Sequence, residues 1–147
     1  MSGDKKNILF ICVENSNRSQ MAEAFARLHG DDIVEAYSSG SRPSGRINPK
    51  AIAAMKDKGI DLATHRSKAL EDLPCVEWEH VVTMGCGDEC PHLPAKHRDD
   101  WELPDPRNMN PDDFNQVRDE IERRVLELLT TIRKDQAMPD SVKGLEA

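Results

Sequence analysis

The chain has 147 residues, of which 37% are hydrophobic and 32% are charged, and its formal net charge at pH 7 is −7. This length suits one domain, and periodic apolar segments argue against a disordered chain. The acidic balance, without any block of lysines and arginines, excludes a broad basic surface for nucleic acid or an anionic membrane. The longest apolar run, residues 8–13, is too short to span a bilayer and lacks the flanks of a secretory signal. We therefore expect a cytoplasmic protein whose partners include neither nucleic acid nor a membrane.

Strands and helices are predicted to alternate along the chain. Residues 7–13 form a continuous apolar run that is typical of a strand buried on both faces. Met21, Phe25 and Leu28 then recur at helical spacing up to Gly30, a residue type that commonly follows a helix end. The next predicted elements, in chain order, are a strand over residues 33–38, a helix over 48–59, a short helix over 67–73, and strands over 79–84 and 98–102.

The last predicted helix has the strongest signal. Asn110 can cap it, Pro111 suits its first turn, and an apolar stripe follows at helical spacing. The stripe consists of Phe114, Val117, Ile121, Val125, Leu128 and Ile132. Residues 1–135 are expected to form a single catalytic α/β domain and residues 136–147 a flexible tail. The alternation predicts an α/β fold with a four-stranded parallel sheet flanked by helices on both faces, and ligands outside the carboxyl ends of its strands.

The loop after the first predicted strand contains a cysteine, an arginine six positions later, and a serine. Between a buried strand and a helix, such a loop can turn its backbone amides inward to form an anion site. The positive potential of these amides favours a thiolate on Cys12. Arg18 can hold two oxygens of a tetrahedral oxyanion, and Ser19 can donate a hydrogen bond to the thiolate. The candidate oxyanion-binding residues are Val13, Glu14, Asn15, Ser16, Asn17 and Arg18. The alternative is an ordinary buried cysteine beside a solvated arginine, and the strand–loop–helix context favours the functional interpretation.

Asp105 is a second candidate catalytic residue, late in the chain between Pro104 and Pro106. A carboxyl group in such a rigid loop can protonate a leaving oxygen. The alternative is an ordinary turn aspartate between prolines. Because the loop with Cys12 already suggests a nucleophile, we favour the interpretation of Asp105 as a general acid.

These residues resemble the low-molecular-weight protein tyrosine phosphatase fold family, and more closely its thioredoxin-coupled arsenate reductases. The resemblance covers about residues 5–133. Beside the loop, it includes Ser19-Gln-Met-Ala-Glu23, Tyr37-Ser-Ser-Gly40, Asn48-Pro-Lys-Ala-Ile52, Val81-Val-Thr83, Cys90-Pro91, Asp105-Pro106 and Val117-Arg-Asp-Glu-Ile121. It implies that Cys12 is the nucleophile, that Arg18 and the loop amides bind the oxyanion, and that Asp105 is the acid. It also implies that Asn15 and Ser19 support the loop and the thiolate.

Two further cysteines bear on which reaction such a site performs. Phosphate and arsenate have nearly the same size, shape and charge, so one oxyanion site admits both. A phosphocysteine can only be hydrolysed, whereas arsenic(V) bonded to sulfur accepts two electrons when a second thiolate attacks that sulfur. Cys86 and Cys90 follow the carboxyl end of the third predicted strand, so they are expected near Cys12. In this hypothesis Cys86 attacks the Cys12 adduct and Cys90 resolves the Cys12–Cys86 disulfide. An external thioredoxin- or glutaredoxin-type protein then reduces the Cys86–Cys90 disulfide, and no tightly bound cofactor is expected.

The chain departs from the family in three features. Three residues separate Cys86 from Cys90, where the usual reductases have six, and Asn17 stands where relatives often have another cysteine. In some relatives an acidic residue helps to bind potassium beneath the loop, whereas this chain has Lys68 near that position. The ammonium of Lys68 is expected to replace that cation. Its predicted neighbours are Asn15, Glu23 and Ser38.

Three other interpretations compete with this hypothesis. A phosphatase acting on phosphotyrosine or small phosphate esters would use the same nucleophile, arginine and acid, although Arg107-Asn108 stand where such phosphatases carry aromatic residues. An oxyanion-sensing or redox-interaction protein would bind without turnover. A zinc site offers only three close ligands, so no metal is expected. Those three ligands are Cys86, Cys90 and His92. The other histidines, which are expected to be surface or satisfied residues, are His29, His65, His80 and His97.

Overall fold

The computed structural model describes residues 5–85 and 93–137. Its strands are β1 (Lys6–Cys12), β2 (Val34–Gly40), β3 (His80–Thr83) and β4 (His97–Asp100). They form one parallel sheet in the order β2-β1-β3-β4, which confirms the predicted four-stranded parallel arrangement. Cys86, Cys90 and His92 lie outside the described residues.

Among the described residues, three α-helices and three short 3-10 turns connect and flank the strands. The helices are α1 (Arg18–Gly30), α2 (Pro49–Lys56) and α3 (Pro111–Ala137), and the turns are Leu62–Thr64, Leu70–Asp72 and Pro106–Asn108. The predicted cap at Asn110 is confirmed, because its Oδ1 accepts from Asp113 N at 2.8 Å, and Asn48 caps α2 in the same way, with its Oδ1 accepting from Lys50 N at 2.9 Å. Within the described ranges, no helix is both long enough and apolar enough to cross a lipid bilayer.

The short helix predicted over residues 67–73 is wrong apart from its 3-10 turn. The Lys68 backbone N–H donates to Asn15 Oδ1 at 2.8 Å, and the Lys68 carbonyl accepts from the Gly40 N–H at 2.9 Å. Backbone groups engaged in such long-range hydrogen bonds cannot also belong to a helical ladder. This segment is therefore extended, and it packs against the loop that follows β1.

The sheet buries a core on each face, because successive side chains of β1 alternate between the two sides. Ile8 and Phe10 face the three helices, whose largest contributions are Met21, Phe25, Met55, Phe114, Ile121 and Val125. Leu9 and Ile11 face the other side, where the cover includes Leu70, Leu73 and Trp78. β1 is thus buried on both faces, as its apolar run predicts. Leu28 departs from the predicted apolar stripe of α1, since it is 55% exposed.

The register brings the carboxyl ends of the strands to one edge of the sheet. Cys12, the last residue of β1, pairs with Gly40 at the end of β2, and Ile11 pairs with Thr83 at the end of β3. Residues 13–17 form the connection from β1 to α1 at this edge. Open parallel sheets bind their ligands at this edge, so the fold places the predicted loop where a site is expected.

Candidate active site

The β1–α1 loop, residues 13–17, is held in place by hydrogen bonds that backbone carbonyls in and next to the loop accept from a neighbouring segment. Backbone amides of the segment 41–48 donate to four carbonyl oxygens at distances of 2.8–3.2 Å. The donor–acceptor pairs are Ser41 to Cys12, Arg42 to Val13, Ser44 to Glu14 and Asn48 to Ser16. In the part of the chain that the structure describes, no backbone carbonyl accepts from the amides of residues 13–17. Because the carbonyls turn toward segment 41–48, the amides are left to bind an anion.

Two residues permit this tight loop. A Cβ atom built on Gly40 would lie 2.5 Å from the Val13 carbonyl oxygen and 3.0 Å from the Asn15 amide nitrogen, so no side chain fits there. Asn15 has a φ of 53°, in the left-handed region that asparagine adopts more readily than most residues. The loop therefore depends on a glycine of the neighbouring strand and on an asparagine at its own turn.

The Asn15 side chain supports the loop from behind. Nδ2 donates to Ser19 Oγ at 2.8 Å, and Oδ1 accepts from Gln20 Nε2 and from the Lys68 backbone N–H, each at 2.8 Å. These partners satisfy a side chain that is fully buried. Of the six predicted oxyanion-binding residues, Asn15 is the one that does not line the pocket.

The Cys12 sulfur lies against the hydroxyl group of Ser19, with Sγ and Oγ 2.8 Å apart. Because Asn15 Nδ2 donates into the Ser19 oxygen, the hydroxyl proton is free to point at the sulfur. A proton directed at Sγ stabilises negative charge on the sulfur. Ser19 thus occupies the supporting position that the sequence predicts.

The Arg18 guanidinium closes one side of the site. Nη1 donates to the Leu103 carbonyl oxygen at 3.0 Å, and Nε is buried without a hydrogen-bond partner among the described residues. A buried donor of this kind fits an oxyanion as its acceptor. Gly85 packs beside the guanidinium at a φ of +82°, and a Cβ atom built on it would lie 2.6 Å from Nη1. The position of Arg18 therefore depends on Leu103 and Gly85, neither of which the sequence analysis places in the site.

A pocket of about 220 Å³ opens over this loop. Its lining residues are Cys12, Val13, Glu14, Ser16, Asn17, Arg18, Arg42, Asp105 and Arg107. The structure therefore brings together the predicted nucleophile, the predicted acid and five of the six predicted oxyanion-binding residues. Arg42 and Arg107 add positive charge that the sequence analysis does not assign to the site. Three arginines around one small pocket suit a multiply charged anion.

Asp105 lies at the rim of this pocket, where Arg107 contacts both Asp105 and Glu14. Asp105 Oδ1 accepts from the Arg107 backbone N–H at 3.0 Å and so caps the turn Pro106–Asn108. The Arg107 side chain donates from Nη1 to Glu14 Oε2 at 2.8 Å. This ion pair ties the Asp105 turn to the loop and partly neutralises the Glu14 carboxylate, which otherwise repels an incoming anion.

A buried group of charges lies beneath the loop. Glu23, whose side chain is 3% exposed, accepts from Ser38 Oγ and pairs with Arg27 Nη2 at 3.0 Å. Lys68 Nζ lies 3.5 Å from Glu23 Oε1, 3.4 Å from Ser38 Oγ and 3.2 Å from the Arg66 carbonyl oxygen. The ammonium of Lys68 is thus surrounded by oxygen atoms at the position where the sequence analysis expects a cation.

Gln20 links this buried group to the loop, a role that the sequence analysis does not assign. Its Nε2 donates to Asn15 Oδ1 at 2.8 Å and to the Arg66 carbonyl at 2.7 Å. Its Oε1, which can only accept, lies 3.1 Å from His65 Nδ1, so Nδ1 carries a proton. Burial lowers the pKa of His65, and the neighbouring Glu23 carboxylate offsets part of that shift. The His65 imidazole thus completes the support beneath the loop through its contact with Gln20.

Arsenate reductases are similar to this chain in sequence over most of its length. An arsenate reductase of Staphylococcus epidermidis is 40% identical over 126 residues, which are 83% of this chain and 95% of that protein. An arsenate reductase of Staphylococcus aureus is 42% identical over 121 residues, which are 80% of this chain and 91% of that protein.

Solved structures of arsenate reductases share this fold over most of the chain. A structure described as an arsenate reductase in the phosphate binding state matches with a TM-score of 0.77 and 34% identity, over 86% of this chain and 98% of that one. A thioredoxin-dependent arsenate reductase of Corynebacterium glutamicum matches with a TM-score of 0.73 and 32% identity, over 92% of this chain and 65% of that one. The family model for low molecular weight phosphotyrosine protein phosphatases matches residues 7–138. The chain therefore belongs to the low molecular weight phosphotyrosine protein phosphatase family.

Proposed function

We propose that this protein is an arsenate reductase that uses Cys12 as its nucleophile and passes the oxidation to Cys86 and Cys90. The observation that carries the proposal is the Cys12 sulfur, 2.8 Å from Ser19 Oγ, in a pocket that Arg18 and the loop enclose. Arsenate reductases that are 40–42% identical to this chain, and arsenate reductase structures with the same fold, support it. The substrate is arsenate, and phosphate is the matched oxyanion that fits the same pocket.

The first step joins Cys12 to arsenic. The thiolate attacks arsenic(V), an As–O bond breaks, and the departing hydroxyl group takes a proton from the Asp105 carboxylic acid and leaves as water. Arg18 and the loop amides hold the remaining oxygens, on which negative charge is greatest in the transition state. Asp105 lines the same pocket as Cys12, which supports its role as the acid.

The second step transfers two electrons to arsenic. The Cys86 thiolate attacks the Cys12 sulfur, the S–As bond breaks, and its electron pair stays on arsenic, which leaves as arsenite. Two thiolates have then become the Cys12–Cys86 disulfide, and arsenic(V) has become arsenic(III). Cys90 attacks the Cys86 sulfur, which releases the Cys12 thiolate and forms a Cys86–Cys90 disulfide.

The position of Gly85 supports this relay, although Cys86 and Cys90 lie outside the described residues. Gly85 packs against the Arg18 guanidinium and is the residue directly before Cys86 in the chain. Consecutive Cα atoms are about 3.8 Å apart, and Arg18, which Gly85 contacts, lines the pocket. An external dithiol protein of the thioredoxin or glutaredoxin type completes the cycle, and the thioredoxin-dependent relative supports the thioredoxin type.

Substitution of the two relay cysteines separates reduction from hydrolysis. In Cys86→Ser we expect no arsenite, because no thiolate attacks the Cys12 adduct. In Cys90→Ser we expect one arsenite per enzyme molecule and then a trapped Cys12–Cys86 disulfide, because the chain's own resolving thiol is gone and the external reductant acts on the Cys86–Cys90 disulfide. The measurements are arsenite release with thioredoxin or glutaredoxin supplied, and p-nitrophenyl phosphate hydrolysis, which both variants should retain.

Cys75→Ser is the matched control for the relay, since Cys75 is an exposed free cysteine away from the pocket. It should reduce arsenate at the wild-type rate. If both relay variants reduce arsenate through many turnovers, the relay is wrong. In that case hydrolysis of phosphate esters through a phosphocysteine, which needs only Cys12, Arg18 and Asp105, becomes the better description of the site.

Lys68 is proposed to act as a built-in cation beneath the loop. Because its ammonium already lies among the oxygens of Glu23, Ser38 and Arg66, we expect equal wild-type activity in potassium and sodium salts of equal ionic strength. Lys68→Met leaves the buried Glu23 carboxylate with Arg27, Ser38 and, at 3.9 Å, His65. Loss of the charged contact should lower the free energy of unfolding by about 1.5–3 kcal/mol.

The same variant should become sensitive to potassium, because an added cation can partly replace the ammonium. The measurements are the midpoint of urea unfolding and arsenate reduction, each in potassium and sodium chloride. Lys96→Met is the matched control, as Lys96 pairs with Glu79 at 3.6 Å but its own side chain is largely exposed. A wild-type enzyme that is strongly activated by potassium would contradict the role of Lys68.

A further inference from the structure

We infer that Glu79, His80 and His97 form a binding site for one divalent transition-metal ion of the Zn²⁺ type. Their ligand atoms all lie within 4.8 Å of one another, the one such group of three histidine, cysteine or acidic residues in the described ranges. Two imidazole nitrogens and a carboxylate oxygen are donors that Zn²⁺, Co²⁺ and Ni²⁺ prefer, whereas Mg²⁺ and Ca²⁺ prefer oxygen alone. The inference is independent of the proposed function.

The sheet itself brings these ligands together. His80 and His97 are directly paired residues of the neighbouring parallel strands β3 and β4, so their side chains leave the same face. Their rings are stacked with centroids 4.7 Å apart and planes inclined by 23°. Glu79 precedes β3, and its Oε2 lies 3.9 Å from His97 Nε2.

Only a small movement separates this arrangement from coordination. A tetrahedral zinc ion with bonds of about 2.1 Å holds its ligand atoms about 3.4 Å apart, so separations of up to 4.8 Å must close by about 1.4 Å at most. His97 can supply the movement, because its side chain is 56% exposed on an edge strand. The competing partner of Glu79 is Lys96, whose side chain is 66% exposed, so their ion pair at 3.6 Å contributes little to stability.

The proposed site is separate from the active site. His80 pairs with Ile8, whereas Cys12 lies four residues further along β1, a distance of roughly 13 Å at 3.3 Å per residue. Both histidines line a groove of about 550 Å³ between the β3–β4 edge and α3. Three protein ligands leave one tetrahedral position for water. A bound ion would tie together β3 and β4, which are the two strands that flank Cys86 and Cys90 in the chain.

The test is calorimetric titration of the reduced full-length protein with Zn²⁺. We expect one ion per chain for the wild type, and an affinity lower by at least about tenfold for His97→Gln and for Glu79→Gln, each of which removes one ligand. Both substitutions lie at partly or largely exposed side chains, and circular dichroism checks that each variant folds. His29→Gln is the matched control, because His29 also pairs with a carboxylate, Glu122 at 2.8 Å, but has no second imidazole among the ligands. It should bind Zn²⁺ like the wild type.

Co²⁺ distinguishes this site from binding by the cysteines. Imidazole and carboxylate ligands give only weak visible bands, whereas thiolate ligands add an intense near-ultraviolet charge-transfer band. We expect the weak bands alone, unchanged in Cys86→Ser and Cys90→Ser. The inference is overturned if the wild type binds no Zn²⁺ at millimolar concentration. It is also overturned if His97→Gln binds as tightly as the wild type, or if the charge-transfer band appears and vanishes in the cysteine variants.

Discussion

Cys12→Ser is expected to lower arsenate reduction and p-nitrophenyl phosphate hydrolysis by at least about 10⁴-fold, because both reactions begin with attack by the Cys12 sulfur. A serine hydroxyl is not ionised at neutral pH and cannot form a disulfide, so neither the adduct nor the relay can follow. The measurements are arsenite release with thioredoxin supplied and release of p-nitrophenol without it.

Binding of an oxyanion should survive the same substitution. The loop amides, the Arg18 guanidinium and the carbonyl contacts with segment 41–48 do not involve the sulfur. We therefore expect phosphate to bind Cys12→Ser in calorimetry with nearly wild-type affinity. Cys75→Ser, at an exposed cysteine, controls for thiol loss elsewhere. Substantial reduction by Cys12→Ser would mean that another thiol attacks arsenic.

The part of the site that is local in the chain could be predicted from the sequence. The apolar run over residues 7–13, the polar loop and the helical spacing after it correspond to β1, loop 13–17 and α1. The rule that parallel sheets bind ligands at their carboxyl ends then singles out Cys12 and Arg18. Asp105 could be placed only as a candidate acid in a rigid turn, and the structure adds that this turn faces the same pocket.

Contacts between distant segments could not be predicted in this way. Gln20 is a polar residue in a helical pattern, and only its bonds to Arg66 and Asn15 reveal why it is fully buried. The extended backbone at Lys68 follows from its bonds to Gly40 and Asn15, and local propensity alone favours a helix there. The pairing of His80 with His97 depends on the β3–β4 register, which no periodicity contains.

Arg18→Lys is expected to lower kcat/KM for arsenate by about 10²–10³-fold, the usual cost of one lost oxyanion donor. Lysine keeps the positive charge but has no planar fork, and its three donors share one nitrogen atom. It therefore cannot reach Leu103 and the oxyanion from two separate atoms, as arginine can with Nη1 and Nε. The measurements are steady-state reduction and phosphate affinity. Arg98→Lys is the matched control, because Arg98 Nη1 also donates to a backbone carbonyl, Leu93 at 3.0 Å, outside the pocket.

Gly85→Ala tests the position of the Arg18 guanidinium without changing Arg18 itself. The Cβ atom of Gly85→Ala would lie 2.6 Å from Arg18 Nη1 and 2.9 Å from the Leu103 carbonyl oxygen, so the hydrogen bond between them must break or shift. Hydrolysis of p-nitrophenyl phosphate is the appropriate readout, because it needs Arg18 but not the neighbouring Cys86. We expect a loss in the same direction as for Arg18→Lys and smaller, since the fork remains and can partly realign. If Arg18→Lys hydrolyses the ester at the wild-type rate, the oxyanion is held by the loop amides alone and Arg18 serves only to fasten the start of α1 to Leu103.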